Sequence, residues 1–211
     1  KVLIKPFHDT KLAIIGITLD QMRLIARPDP DTHFANAIDT TLRTIQRLHQ
    51  QGIYHIIVLI HLGLDQDREL AAKVDGISLI VGGHSHTLQG QLSDIGWSNI
   101  PYAETINSTP ILHAGKYAET IGLAEICFDQ HGKIVELQGN NYFMVDENIT
   151  VTTKDGHATD SNTAATLVKQ LFAHPSIKDA QYDEHIHSVI HTQYRPSLDA
   201  IENQILGHIP R

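Results

Sequence analysis

The chain has 211 residues, 41% hydrophobic and 19% charged, which is enough apolar material for a globular domain with a core of its own. A formal net charge of −8 excludes a general cationic surface for nucleic acid, so phosphate-bearing ligands would have to be held by local groups. The longest apolar runs are far too short to cross a bilayer, and a single cysteine, Cys127, excludes an intrachain disulfide. In chain order, a short N-terminal tail is followed by an apolar strand over 12–18 and a loop marked by Pro28-Asp29-Pro30. A helix is predicted over 33–51, with Asp31 or Thr32 as N-cap, Ile38, Leu42, Ile45 and His49 along one face, and Gly52 at its C-terminal end.

Two apolar runs come next, over 54–60 and 77–81, separated by a stretch containing Asp65, Asp67, Glu69, Leu70, Ala71, Ala72 and Val74, whose spacing fits one short helix. Strand, helix and strand form a crossover unit. Both strands are then parallel, and their carboxyl ends share one edge of the sheet. Residues 88–108, which include the only tryptophan, Trp97, read as a long loop suited either to shaping a cleft or to connecting elements. Strands over 110–114 and 121–128, a hairpin signal at Asp129-Gln130-His131-Gly132-Lys133 and a return strand over 134–144 complete the α/β part. Cys127 falls in the second of these strands and is expected to be a buried, inert thiol. From about 146 the chain turns polar and loses strand character, with helical segments at Asn162–Phe172 and Asp179–Ile190 interrupted at His174-Pro175-Ser176. No internal repeat and no low-complexity tract is present.

The chemistry concentrates at the strand ends. His61 ends the first run of the crossover unit, and Gly82-Gly83-His84-Ser85-His86-Thr87 follows the second. Neutral imidazole is the commonest metal ligand, and the paired glycines free the backbone to bring His84 and His86 toward an ion. Because His84 and His86 are two residues apart, they aim differently and suit two ions better than one. Taken singly, each motif also has a plain reading: His61 as a packed core residue, and the glycine-histidine run as an exposed turn.

Together with Asp65, Leu70-Ala71 and Val74-Asp75-Gly76-Ile77, these motifs resemble the 5′-nucleotidase branch of the calcineurin-like metallophosphoesterases. Lys11 to Thr18 resembles the strand that follows the family's Gly-Asn-His motif, and Thr109 to Tyr117 with Ile121-Gly122-Leu123 resembles its final strands, so the likeness runs from about residue 11 to 146. The resemblance implies a mixed-sheet α/β sandwich. Residues 1–146 would be the C-terminal half of the catalytic domain, and 147–211 a helical segment leading toward a further domain that recognises the nucleotide. It implies that His61 and His84 bind one divalent ion and His86 the other, Zn or Mn, and that the ions activate a bridging water for in-line attack on phosphorus. The family's other ligands, an Asp-x-His pair, a bridging Asp and the Asn of Gly-Asn-His, come from earlier in the fold. Asp31-Thr32-His33, Asp155-Gly156-His157 and Asp183-Glu184-His185 do not replace them, since none ends a strand. The chain is therefore expected to begin after these motifs and to hold a metal pair poorly, because three neutral imidazoles offer no negative charge against two cations.

The activity implied is hydrolysis of nucleoside monophosphates, nucleotide sugars or cyclic nucleotides, in a periplasmic or extracellular enzyme. No catalytic side chain is assigned in this chain, and its substrate-binding residues and oligomeric state stay open. A different ester is a second reading, and a third is a catalytically inactive binding module of the same fold. His187 and His191, four apart, read as part of a solvated helix, and the sequons at Asn107 and Asn148 as chance.

Overall fold

The computed structural model describes residues 1–97, 100–146 and 148–204. The chain divides into two compact units, one of 1–144 with 173–178 and one of 145–172 with 179–211.

The first unit is built on a six-stranded sheet. Its strands are β1 (Val2–Phe7), β2 (Thr10–Ile17), β3 (His55–Ile60), β4 (Leu79–Val81), β5 (Glu104–Ile106) and β6 (Thr109–Leu112), in the spatial order β1-β2-β3-β4-β6-β5. β2, β3, β4 and β6 run parallel, while β1 and β5 close the two edges antiparallel. The parallel strands need crossovers, two of which helices α2 (Ala37–Gln50) and α3 (Leu64–Lys73) supply, while the chain from β4 to β6 returns through β5; a single turn, α1 (Met22–Ile25), precedes α2. Ile56, Val58 and Ile60 alternate along β3 and are buried with Ile45 and Leu48 of α2 and Leu70 and Ala71 of α3. The opposite face is less covered, for Ile57 is half-buried and Leu59 is 54% exposed. A second sheet, in the order β7-β8-β9, comprises β7 (Thr120–Phe128), β8 (Ile134–Val145) and β9 (Ile177–Asp179). It meets the first where Phe7, His55 and Phe128 pack edge to face or tilted, with ring centroids 5.6–5.9 Å apart.

Several expectations change. Residues 2–7 are not a tail but an edge strand hairpinned onto β2 through His8, whose φ of 50° makes the turn. The first long helix starts at Ala37 rather than 33, because Asn36, and not Asp31 or Thr32, is the N-cap: its side chain accepts the Asp39 N–H at 3.0 Å. The 88–108 segment, in which residues 98–99 lie outside the described residues, contains the strand β5. Asn107 and Ser108, both at positive φ, form a two-residue turn into β6. Cys127 lies in β7 as expected but is exposed, since β7 is an edge strand of a three-stranded sheet. Beyond 146 the chain still adds a strand, β9, at the point where Pro175 interrupts the helices.

The second unit contains α4 (Ser161–Phe172), α5 (Glu184–Val189), a wider-wound turn over Ile190–Tyr194 and α6 (Arg195–Glu202). Asp183 caps α5 by accepting the Ile186 N–H at 2.9 Å. None of the described helices is long and apolar enough to cross a membrane.

Candidate functional site at the carboxyl edge of the parallel strands

His61, Gly82 and His113 directly follow β3, β4 and β6, so the topology brings three strand ends to one edge. The two loops there are tied together. Ser85 Oγ accepts the Leu64 N–H at 3.1 Å, acting as the cap that Gly63 cannot supply to α3, and shares a 2.8 Å hydrogen bond with Thr87 Oγ1. Gly63 has a φ of +97°, a conformation natural only to glycine; a Cβ there would reach Ser85 and His84 only at ordinary van der Waals contact, so the backbone angle and not space requires glycine.

The rings of His61 and His84 meet edge to face with centroids 5.1 Å apart. His86 does not join them in a stack; its ring packs at 5.3 Å on Tyr117, over which Lys116 Nζ lies at 4.8 Å. His84 and His86 both have positive φ, 82° and 56°. For non-glycine residues this is strained backbone of the kind concentrated at functional sites.

Beneath this edge lies a buried polar group. Asp67, on the packed face of α3, is fully buried, and its Oδ2 is 2.7 Å from Nε2 of His113, which is 3% exposed. Asp67 Oδ1 has no hydrogen-bond partner. Burial pushes the Asp67 carboxyl above its ordinary range, and the hydrogen bond and charge of His113, then the nearby His61 and His84, partly offset the push. His113 is itself held by its backbone: Gln89 Oε1 accepts its N–H at 2.9 Å, and Asn141 Nδ2 donates to its carbonyl at 2.7 Å and to that of Gln89 at 2.8 Å. The sequence reading did not single out Asp67 or His113 for this role. A carboxylate on the apolar stripe Leu64, Asp67, Leu70, Ala71, Val74 was the available signal, and His113 ends an apolar run just as His61 does.

Among the described residues, no three His, Cys, Asp or Glu side chains form a group able to hold a metal ion. His61 and His84 make up two neighbouring donors, and Asp67, whose carboxyl feels the charge of both, is engaged by His113. The residues present therefore do not fit a pair of ions by themselves.

No protein-family model matches the chain. Among curated proteins, it is 30% identical over 128 residues to the trifunctional nucleotide phosphoesterase protein YfkN of Bacillus subtilis, an alignment covering 59% of this chain and 8% of that protein. It is 26% identical over 212 residues to a probable 5′-nucleotidase of Treponema pallidum, covering 94% of this chain and 35% of the relative. Among solved structures, a 5′-nucleotidase precursor from Thermus thermophilus superposes with a TM-score of 0.63 at 26% identity, over 81% of this chain and 34% of that one. The chain is thus similar to members of the 5′-nucleotidase branch of the calcineurin-like phosphoesterases over part of their length. The fold alone is also shared with the NAD nucleotidase of Haemophilus influenzae, at a TM-score of 0.86 and 23% identity, over 98% of this chain and 43% of that one. The chain thus spans between 8% and 35% of the length of the two curated nucleotidase-branch relatives named here.

Proposed function

We propose that this chain is part of the catalytic domain of a hydrolase that cleaves phosphate esters of nucleotides, with residues 1–146 contributing the C-terminal half of that domain. The observation that carries the reading is the 5.1 Å approach of the His61 and His84 rings at the carboxyl edge of parallel strands, in a chain similar to members of the 5′-nucleotidase branch. In this reading His61 and His84 are two ligands of one divalent ion and His86 is a ligand of a second, with Zn and Mn as the candidate metals. Their remaining ligands, including the carboxylate that offsets the ions' charge, come from residues outside this set. The buried Asp67–His113 pair fixes the floor on which the His84 loop rests. Names such as snake venom 5′-nucleotidase among the relatives support a periplasmic or extracellular location.

Two measurements test the proposal. The natural polypeptide carrying these residues, supplied with Mn²⁺ or Zn²⁺, is expected to release inorganic phosphate from nucleoside 5′-monophosphates, and to stop when the metal is chelated. Failure to release phosphate from any nucleotide under these conditions overturns the assignment. Zn²⁺ titrated calorimetrically into the 211-residue chain is expected to bind at no more than one ion per chain. That binding should be abolished by His61→Ala or His84→Ala and unchanged by His86→Ala, whose ring packs on Tyr117 instead. A stoichiometry of two would contradict the incomplete ligand set.

A further inference from the structure

A cleft of about 690 Å³ opens between residues 90–94 and 101–102, the middle of β8 and the turn before β9, and it shares no lining residue with the histidine edge. Its size falls within the range of about 300–1,000 Å³ usual for small-molecule sites. One wall is the ring of Tyr102, flanked by Pro101, with Pro175 also lining the cleft. The ring is fixed in place. Its hydroxyl donates to the Leu123 carbonyl at 3.1 Å, and a side chain at Gly139 would approach Tyr102 Cε1 to 2.9 Å, so glycine there leaves room for the aromatic edge.

The polar groups are arranged in sequence. The Ser176 N–H donates to His174 Nδ1 at 3.1 Å, which places the ring proton on Nε2, and that nitrogen faces the Asp94 carboxylate at 3.2 Å. The Asp94 side chain remains 66% exposed, so most of its lone pairs are open. Asn140 Nδ2 is committed to Ser176 Oγ at 3.0 Å, and its side-chain oxygen takes part in no hydrogen bond among the described residues. Asp94 and Asn140 thus present acceptors to the cleft beside the amide of Gln91 and the hydroxyl of Ser93, and no Lys or Arg is among its lining residues. A phosphate would meet a carboxylate with no cation to offset it, whereas a ring whose hydroxyls both donate and accept would satisfy Asp94 and Asn140, use the Gln91 and Ser93 donors and cover the aromatic face.

We propose that this cleft binds a neutral polyhydroxylated ring, the sugar of a saccharide or of a nucleoside, stacked on Tyr102 with adjacent hydroxyls donating to Asp94 and Asn140. The site is independent of the phosphoester chemistry above and stands whether or not that reading holds. Saturation-transfer NMR on the 211-residue chain tests it with maltose, adenosine and inorganic phosphate as separate probes. Transfer to the sugar protons of maltose identifies a saccharide source, transfer to the ribose protons of adenosine a nucleoside source, and either supports the site. Asp94→Asn, an isosteric change at a 66% exposed side chain, is expected to weaken binding at least about tenfold. Tyr102→Phe should retain binding and Tyr102→Leu should lose it. If Tyr102→Leu fails to fold, the Asp94→Asn result decides alone. The proposal is overturned if neither sugar-bearing probe receives saturation, if Asp94→Asn binds as tightly as the wild type, or if phosphate perturbs the cleft resonances as the sugars do.

Discussion

Replacing Asp67 by alanine is expected to destabilise the first unit by about 3 kcal/mol, measured by urea unfolding of the 211-residue chain. The carboxylate is fully buried, and its loss leaves the equally enclosed Nε2 of His113 without a partner and opens a small void beside Gly82. Asp67→Asn keeps the volume and one oxygen, and should cost less than half as much.

The charge state of the pair gives the same variant a second readout. Burial raises the Asp67 carboxyl above the ordinary value of 3.8. Between 3.8 and the raised value, the folded chain therefore binds more protons than the unfolded one, and stability falls as pH rises. Asp67's contribution is fully present below 3.8 and is lost as pH climbs through the raised value, so the wild type should gain on Asp67→Asn as pH is lowered. Asp129, held low chiefly by the Lys133 N–H, and Asp160, held low by Thr163, have the opposite sign and lose stability as pH falls. Both are present in both proteins, so they cancel in the difference. A flat difference between wild type and Asp67→Asn from neutral pH down to about 4 would mean that the carboxyl is ionised in the fold.

How much of this was legible depends on which physical signal each element carries. The β3–α3–β4 crossover was readable because two uninterrupted apolar runs flank a helix-period stretch. The nearness of His61 to His84 follows from that topology alone. The orientation of His86 was not readable, because it depends on two successive departures into the left-handed region, at His84 and His86, that no local pattern announces. β1 was hidden because Lys5 and Pro6 break the apolar run Val2-Leu3-Ile4. An antiparallel edge strand tolerates both, since its outer hydrogen-bonding side faces away from the sheet. Asn107-Ser108 is a weaker hairpin signal than Asn-Gly, and so β5 read as loop. The Asp67–His113 pair joins residues 46 positions apart, and only the folded chain brings an acid on a helix's apolar stripe against a histidine at a strand end.

Gly82→Ala is expected to be at least as damaging as Asp67→Ala, at about 3 kcal/mol or more, for a reason unrelated to backbone freedom. Gly82 has no left-handed φ, so alanine is conformationally acceptable there. The added methyl, however, would coincide with Asp67 Oδ2 and His113 Nε2, the two atoms that make the buried hydrogen bond. Neither can swing away: Asp67 is enclosed by the core on α3, and His113 is held at its N–H and carbonyl by Gln89 and Asn141. The strain must then pass into the backbone that continues to Gly83 and His84, where His61 Nδ1 lies so close that even a Cβ added at Gly83 would come within 3.0 Å of it. Gly52→Ala supplies the contrast. Gly52 has a φ of +73° but nothing within 4 Å, so the substitution should cost only about 1 kcal/mol from the left-handed backbone. Unfolding free energies of the two variants, with ring NMR shifts of His61 and His84, distinguish the causes. Gly82→Ala should be the less stable and the only one to move the His84 resonances, and equal stabilities would show that the floor beneath the histidines can yield.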